Sequence, residues 1–482
     1  MIFLRVLARV FLILIISFFS LKSTNGQNQY QKGWQSLNNA EVSEAIKHFE
    51  AALKKSTLRE KSLLCLTLLY SQINRDKKAS EFFTEYFNNS NDPYPALYSL
   101  WFEGGVIGAT GKKKPFQFEM LKEIEKDKRN KGKLDAATQY RLSTHYVFSF
   151  DKAIADNHVD KIMNIDDWLM LGPFDNVMNS GYDKDFGVVA HPEANAKFIS
   201  KYGAEITWFD PPISSEDGYL FKDMYFLSSN SIIYAQTYIE SSYEREVIIK
   251  FGYSGSLKVW LNDSLIYMDP EHRVTEMDYY RFGCKLNKGY NRILVQLGDY
   301  DESLPNFTLR LTDSINNPIL LPQKNLPQPY QKKVIQLKRI NYFATEELKK
   351  MTQKDPDLLF KILLVKAYMR SNELYKAEEI LKNIQKDESR NYFMLRNMIF
   401  LYSKANDNTN QNKYYDLFKE NYPQDINILE NEIEEYKEEE NKEKVRELIA
   451  TYLSKYPDYF QELSYEMVLA NFIRIMRNIW HL

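Results

Sequence analysis

Cysteine is nearly absent from this chain, and histidine is scarce. The 482 residues include two cysteines, Cys65 and Cys284, and six histidines. Cys65 is expected in an apolar helix and Cys284 in a strand of another domain, so two buried free thiols are expected and no disulfide. Stability must then come from packing. His191 and His272 have no Cys or His partners at ligand spacing, which argues against a zinc site.

An excess of charge of either sign is also missing. Lys and Arg number 63 and Asp and Glu 65, so the formal net charge is -2. A balance this close points to neither nucleic acid nor another polyanion as a partner. Hydrophobic residues make up 44% and charged residues 27%, which is an ordinary globular composition. The length suggests about three domains of roughly 150 residues each.

The N-terminal apolar run, Val10–Phe19, is shorter than the roughly 20 residues that a membrane-spanning helix needs. Arg5 and Arg9 precede it and small residues follow up to Gly26, which is the pattern of a secretory signal. We therefore predict a signal peptide over 1–26 and export to the periplasm or cell envelope of a bacterium. An uncleaved N-terminal anchor is the alternative. Without a cysteine near the cleavage region, a lipid anchor is not expected.

Residues 28–163 predict paired helices. Gly33, Ala45 and Phe49 match the tetratricopeptide pattern, and Ala79 and Phe83 repeat the last two positions 34 residues later. A small residue at the position of Gly33 lets the two helices of a hairpin approach closely. A Gly-rich stretch followed by lysines occupies 104–114, but its spacing places no hydroxyl for Mg²⁺, so no nucleotide site is predicted.

Residues 334–482 carry a clearer repeat, after a stiff proline-rich linker over 321–333. Its markers share a 34-residue interval; they are Tyr368, Tyr402 and Tyr436, and also Pro423 and Pro457. The acidic run Glu430–Glu447 predicts a solvated helix face. The terminal segment Tyr459–Leu482 predicts an apolar helix whose Phe472, Ile475, Ile479 and Trp480 lack partners. It suggests a shortened chain or docking on a partner.

Residues 165–320 alternate apolar and polar side chains with period two, which predicts antiparallel strands. The predicted strands include Glu205–Phe209, Ser231–Ser241, Glu246–Phe251, Leu257–Leu261, Leu265–Met268, Tyr280–Leu286, Arg292–Leu297 and Phe307–Thr312. Asn262-Asp263 predicts a two-residue hairpin turn, since both residues tolerate a positive φ. Asn287–Tyr290 predicts a second turn. Eight or nine strands in this length fit a jelly-roll β-sandwich. The predicted fold class is multidomain α + β: tetratricopeptide-like helical repeats flanking a central antiparallel β-sandwich.

The segments Ser256–Asp263 and Leu286–Val295 resemble the paired strands of galactose-binding-like jelly rolls. Trp168–Asn176 (WLMLGPFDN) resembles the start of that domain in large bacterial envelope proteins, where tetratricopeptide helices flank the sandwich. In longer members a transglutaminase-like domain follows. The resemblance covers most of 28–480. It implies carbohydrate recognition at loops on one end of the sandwich.

Sugar recognition requires an exposed aromatic ring, and the candidates are Trp208, Trp260, Tyr219 and Tyr267. The competing interpretation, which we favour, is that these rings fill the core. Gly298–Glu302 groups oxygen atoms that could bind Ca²⁺, but a solvated acidic loop is the interpretation that we favour. Asp175, Asp183, Asp185, His191 and Glu193 are spaced along loops, and nothing places two of these carboxylates in one cleft. No catalytic residue, metal ligand or cofactor is predicted.

Three functions remain open at this point. The first is an exported, non-catalytic scaffold that binds proteins or peptides through its helical repeats. The second is the non-catalytic N-terminal part of a transglutaminase-like enzyme, whose thiol chemistry needs a Cys paired with His and Asp. The third is a carbohydrate-binding accessory protein.

Overall fold

The computed structural model describes residues 28–108, 114–211, 218–299 and 304–455. The predicted signal peptide, the terminal helix Tyr459–Leu482 and the acidic residues Asp301 and Glu302 lie outside these ranges. The chain divides into two compact units. Among the described residues, the helical unit contains 28–108, Lys114–Met120 and 342–455, and the sheet unit contains those between Leu121 and Asn341.

Helices occupy both ends of the chain. In chain order they are α1 (28–38), α2 (Val42–Ala52), α3 (Ser56–Gln72), α4 (Asp76–Asn89), α5 (Tyr94–Leu100), α6 (Pro115–Lys126), α7 (Asp135–Phe148), α8 (Lys152–Asp160), α9 (Phe343–Lys354), α10 (Leu358–Arg370), α11 (Leu374–Asp387), α12 (Tyr392–Lys404), α13 (Asn408–Asn421), α14 (Ile426–Glu438) and α15 (Lys442–Lys455). Among the described residues, none of these helices combines the length and apolar content needed to cross a bilayer.

Besides Phe150 (φ 59°) between α7 and α8, five residues of the helical unit close helical hairpins in the left-handed conformation. These residues are Ala40 (φ 63°), Asn74 (56°), Asn372 (53°), Asn406 (55°) and Glu440 (56°). In each hairpin the next amide donates to the carbonyl five residues earlier, as Arg75 N does to Tyr70 O at 2.8 Å. Positions 40 and 74 are 34 residues apart, and so are 372, 406 and 440. The interval found in the sequence is therefore the interval of the hairpin turns.

The N-terminal and C-terminal helices belong to one unit and not to two separate arrays. Asp357, which caps α10, accepts hydrogen bonds from the Tyr30 hydroxyl and the Lys61 ammonium, each at 2.9 Å. The ring of Trp34 packs edge-on against Phe393 at 5.9 Å between centroids. Because α3 and α10 contact each other and are buried along most of their length, apolar residues occur on all their sides.

Helix α5 pairs with α9 although the whole sheet unit lies between them in sequence. It packs against α9 and α10. Tyr98 of α5 contacts Tyr342 at 5.1 Å between centroids, and its carbonyl accepts a 2.8 Å hydrogen bond from Arg370. The chain therefore leaves the helical unit after the first helix of a hairpin and returns for the second.

The sheet unit contains a large antiparallel sheet, as the alternation predicted. Its strands are β1 (Leu169–Asp175), β4 (Leu220–Phe221), β5 (Ser231–Ser241), β6 (Arg245–Leu261), β7 (Ser264–Val274), β8 (Tyr280–Leu286), β9 (Gly289–Asp299), β10 (Asn306–Thr312), β11 (Gln323–Lys324) and β12 (Lys338–Arg339). Two short strands, β2 (Phe198–Ile199) and β3 (Glu205–Ile206), pair separately. The main order is β1-β5-β9-β6-β10-β4, with β7 and β8 also on β6.

Strand β6 is shared by two halves of this sheet. Its first half pairs with β8 and β10, and its second half pairs with β9 and β7. The register shifts between Gly255 and Leu257, where Gly255 has a φ of 121° that favours glycine. One apolar core draws on both halves, for example Val247 and Ile249 with Val259 and Val295. The sequence predicted two separate strands here.

Both faces of the β1–β5–β9 region are covered. The second face packs Leu171, Tyr234 and Leu294 against Phe198 and Trp208 from the segment after β1. This explains why β5 is buried at nearly every position and not only at alternate ones.

Helices α7 and α8 cluster with the strands, whereas the sequence grouped them with the first helical domain, 28–163. Ala136 and Ile162 pack against Tyr219 and Met277. Asn164, just beyond α8, forms a bridge with Arg310 of β10. The difference arises because these contacts are long-range, while the helical pattern is local.

Replacing Gly252 by alanine is expected to destabilise the sheet unit by about 1–3 kcal/mol. A Cβ at Gly252 would lie 2.0 Å from the carbonyl oxygen of Glu276, so backbone must move. Gly283→Ala is the control, since its Cβ would meet nothing closer than 3.7 Å. Hydrogen exchange of the strands measures both variants. Equal destabilisation in both variants would show that the contact between Gly252 and the Glu276 carbonyl does not exclude a side chain at position 252.

Candidate functional site

A groove of about 670 Å³ opens in the helical unit. One wall is the outer stripe of α2, including Val42, Ile46 and Glu50. The α3–α4 turn forms a second wall, and residues 421–425, between α13 and α14, form a third. The groove therefore joins stretches from opposite ends of the chain.

Three buried tyrosines form the base of the groove: Tyr70, Tyr392 and Tyr422. The Tyr422 hydroxyl donates to the carbonyl of Leu37 at 2.5 Å, and burial raises the pKa of this phenol. Tyr392 donates to Asp425 at 2.6 Å. Because these hydroxyls bind fixed protein groups and each side chain is at most 5% exposed, the base of the groove is rigid and largely closed to solvent.

The charged side chains of the groove balance. Its bases are Lys47, Arg75 and Lys78, and its exposed or half-buried acids are Glu41, Glu44 and Glu50, three against three. The fourth acid, Asp425, is buried and paired with Arg396 at 3.0 Å. The groove is thus formally neutral.

Lys78 is fixed by contacts with two other residues of the groove, Tyr70 and Glu50. Its ammonium donates to the Tyr70 hydroxyl at 2.7 Å and lies 3.4 Å from Glu50. The Tyr70 hydroxyl in turn donates to Glu50 at 2.9 Å. The hydrogen bond to Tyr70 is the main cause of a raised pKa for Lys78.

The aromatic residues proposed for sugar stacking are not brought together into one site. Trp208 is buried against Phe198, and Trp260 packs half-buried on the edge of the same core. Tyr219 is buried against Tyr140, at 5.4 Å between centroids. The hydroxyl of Tyr267 is hydrogen-bonded to that of Tyr253 at 2.9 Å. Core packing accounts for Trp208 and Tyr219.

The loop carboxylates also stay apart. Asp183 accepts a 2.8 Å hydrogen bond from Lys258, and Asp185 caps the amide of Gly187. His191 lies 4.0 Å from Glu193, and both are largely exposed. Within the described ranges, His, Cys, Asp and Glu form no group of three that could hold a metal ion. The proposed Ca²⁺ segment, Gly298–Glu302, is only partly within them.

Both cysteines are buried free thiols. Burial raises the pKa of Cys65, and it raises that of Cys284 to about 12. A nucleophilic thiolate requires the opposite shift.

A smaller cavity, of about 150 Å³, lies at the start of β1 in the sheet unit. Its walls include Trp168, Tyr219 and Tyr225, and Asp167 and Asp210 stand beside them. Burial raises the pKa of Asp167, and the nearby Asp210 adds to this effect. Of the sugar-stacking candidates only Tyr219 lies here. The sequence did not point to Tyr225, Asp167 or Asp210, because these residues come together only through long-range packing.

The sheet unit also buries a cluster of charges between α7, β6 and β10. Asp278 accepts two hydrogen bonds from Arg310, at 2.8 and 2.5 Å, and Lys250 donates to Asn316 at 3.0 Å. Burial lowers the pKa of Lys250 to about 7, although Asp278 opposes this shift. Asp135 is also near, and burial raises the pKa of its carboxyl. Neither of the two cavities described above adjoins this cluster, so its charges suit a structural role.

The stability of the sheet unit is expected to rise between about pH 7 and pH 10 because of Lys250. In this range Lys250 is protonated in the unfolded chain and neutral in the folded chain, so unfolding takes up a proton. Unfolding therefore becomes less favourable as the pH rises. The slope approaches about 1.4 kcal/mol per pH unit. Lys250→Met should reduce this slope, measured by urea unfolding at several pH values. An unchanged slope would assign it to other groups.

Comparison with models of known protein families finds no match, and comparison with curated protein sequences finds none either. The geometry of the chain itself must therefore support any functional assignment.

Proposed function

We propose that the protein is a non-catalytic binding platform that holds an extended segment of a protein or peptide in the groove of its helical unit. The observation that carries the proposal is the groove of about 670 Å³, in which the half-buried side chains of Val42, Ile46 and Ile73 lie among charged residues. Clefts of this size suit a few residues of a bound chain. Because the hydroxyls of Tyr392 and Tyr422 are already bonded, binding would not have to order the base of the groove.

A random-peptide display selection on the full chain tests this proposal. Peptides that the chain enriches should bind it saturably. Ser43 is exposed on α2 at the edge of the groove, so Ser43→Trp should fill the groove and weaken binding at least about tenfold. Glu379→Trp adds the same side chain at an exposed position of α11, outside the groove lining, and should have no effect. No enriched peptide, or equal loss in both variants, would reject the proposal.

We further propose three features that the sequence suggested: a tetratricopeptide-like helical array, a galactose-binding-like sandwich and export to the cell envelope. The 34-residue interval of the turns and the burial of Ala45, Phe49, Ala79 and Phe83 support a tetratricopeptide-like array. The core shared by both halves of the sheet supports a galactose-binding-like sandwich. The basic and apolar N-terminal segment supports export to the cell envelope. Fractionation with N-terminal sequencing of the mature chain tests the last of these.

The cavity at the start of β1 favours carbohydrate as a second ligand. Its volume of about 150 Å³ is lined by Trp168 and Tyr225 with Asp167 and Asp210, which combines ring faces with hydrogen-bond acceptors. A glycan array on the full chain tests it. Binding should be lost in Tyr225→Ala and kept in Tyr202→Ala, whose ring is 70% exposed outside the cavity lining. A blank array would reject this candidate.

A further inference from the structure

We propose that the groove of the helical unit selects segments with apolar, uncharged side chains and gains little from charge. This inference rests on the proposed function, because it names the chemistry of the segment that the same groove would bind. The charges, the apolar stripe and the hydrogen-bonding groups of the groove each support it.

Two basic and two acidic side chains of the groove already form ion pairs within the protein. Lys47 contacts Glu44 at 2.6 Å, and Lys78 is bound by Tyr70 and Glu50. With three bases facing three acids, the rim offers no net field to a charged ligand. A charged side chain would have to lose water and compete with an existing pair, and such exchanges contribute little at exposed sites.

An apolar stripe runs between these charges. Val42 and Ile46 lie one turn apart on α2, and Ile73 faces the groove from the end of α3. All three side chains are half-buried, so each leaves apolar surface to be covered. Pro423 continues the stripe on the opposite wall. Covering this surface with an apolar side chain returns about 25 cal/mol for each Å² removed from water.

The groove also has hydrogen-bonding capacity for a main chain. The side-chain Nδ2 of Asn421 donates to the carbonyl of Leu417 at 2.7 Å, and the Oδ1 of the same side chain can accept a hydrogen bond from a ligand. The hydroxyl of Ser43 lies at the exposed edge. Peptide groups of an extended segment could pair with these atoms while its apolar side chains cover the stripe.

The test uses the most enriched peptide from the display selection, synthesised with blocked ends. Its dissociation constant should change less than about twofold between roughly 50 and 500 mM NaCl, since screening acts on charge pairs. Ile46→Asp and Ile73→Asp should each weaken binding about tenfold or more. The double variant Glu347→Gln/Lys350→Gln, which removes an exposed charge pair outside the groove lining, is the control and should bind within about twofold of the original chain.

Circular dichroism and thermal unfolding establish that each variant is folded, and Ile46→Ser is a milder replacement if Ile46→Asp is not. Peptides that are enriched in Glu or Lys, blocked by Ser43→Trp and strongly weakened by salt would overturn this inference and leave the proposed function standing. Failure to select any peptide that Ser43→Trp blocks would reject the proposed function itself.

Discussion

Replacing Arg310 by methionine is expected to destabilise the sheet unit by about 3–5 kcal/mol. Arg310 is almost fully buried on β10 and donates two hydrogen bonds to Asp278 and one, of 3.3 Å, to the carbonyl of Ile162. Methionine keeps much of the volume but leaves the Asp278 carboxylate buried without its main partner. Burial by itself would raise the pKa of Asp278, and the charge of Arg310 is the main influence that instead holds this pKa below its ordinary value.

A double variant separates lost charge pairing from lost packing. Arg310→Met combined with Asp278→Asn removes both charges and keeps a residue that tolerates the left-handed backbone of position 278 (φ 60°), so it should recover part of the lost stability. Hydrogen exchange of strands β6 and β10 in the full chain measures each variant, because two compact units need not unfold together. A double variant as unstable as Arg310→Met alone would show that the charge pair is not the cause.

Replacing Asp357 by alanine is expected to destabilise the helical unit by about 3 kcal/mol. The change removes the cap of α10, worth about 1 kcal/mol, where the carboxylate accepts from the amide of Leu359 at 3.0 Å. It also leaves the hydroxyl of Tyr30, a side chain only 5% exposed, without this partner, which costs about 1–3 kcal/mol. Lys61 loses one of its two carboxylates and keeps Asp355.

Asp407→Ala is the matched control. Asp407 caps α13 by accepting from the amide of Asn410 at 3.0 Å, and the hydrogen bonds described for its side chain all come from the first turn of α13. Its loss should cost about 1 kcal/mol. Hydrogen exchange of α1 and α10 measures both variants. Equal effects would mean that Asp357 serves only as a cap and does not join the two ends of the chain.

The sequence predicted the local parts of this fold well. Strands β5 and β8 begin and end where the alternation placed them, at Ser231–Ser241 and Tyr280–Leu286. Asn262 and Asp263 have φ values of 51° and 65°, as the predicted hairpin turn requires. These features are set by neighbouring residues, so a single sequence contains them.

Long-range packing could not be predicted in the same way. The hydrogen bond from Tyr422 to Leu37 and the contact of Trp34 with Phe393 join residues that no local pattern connects. The continuous β6 was divided in the prediction because Gly252 and Gly255 interrupt its pattern, although they are the positions where the strand approaches other backbone. The groove was missed for the same reason, since its walls meet only after the chain ends have packed.

Hydrogen exchange of the full chain with and without a selected peptide tests the central proposal most directly. The peptide should slow exchange together in 41–50, 70–78 and 421–425, the three stretches that line one groove. Protection confined to one of these stretches, or found only in the sheet unit, would contradict a binding site built from both ends of the chain.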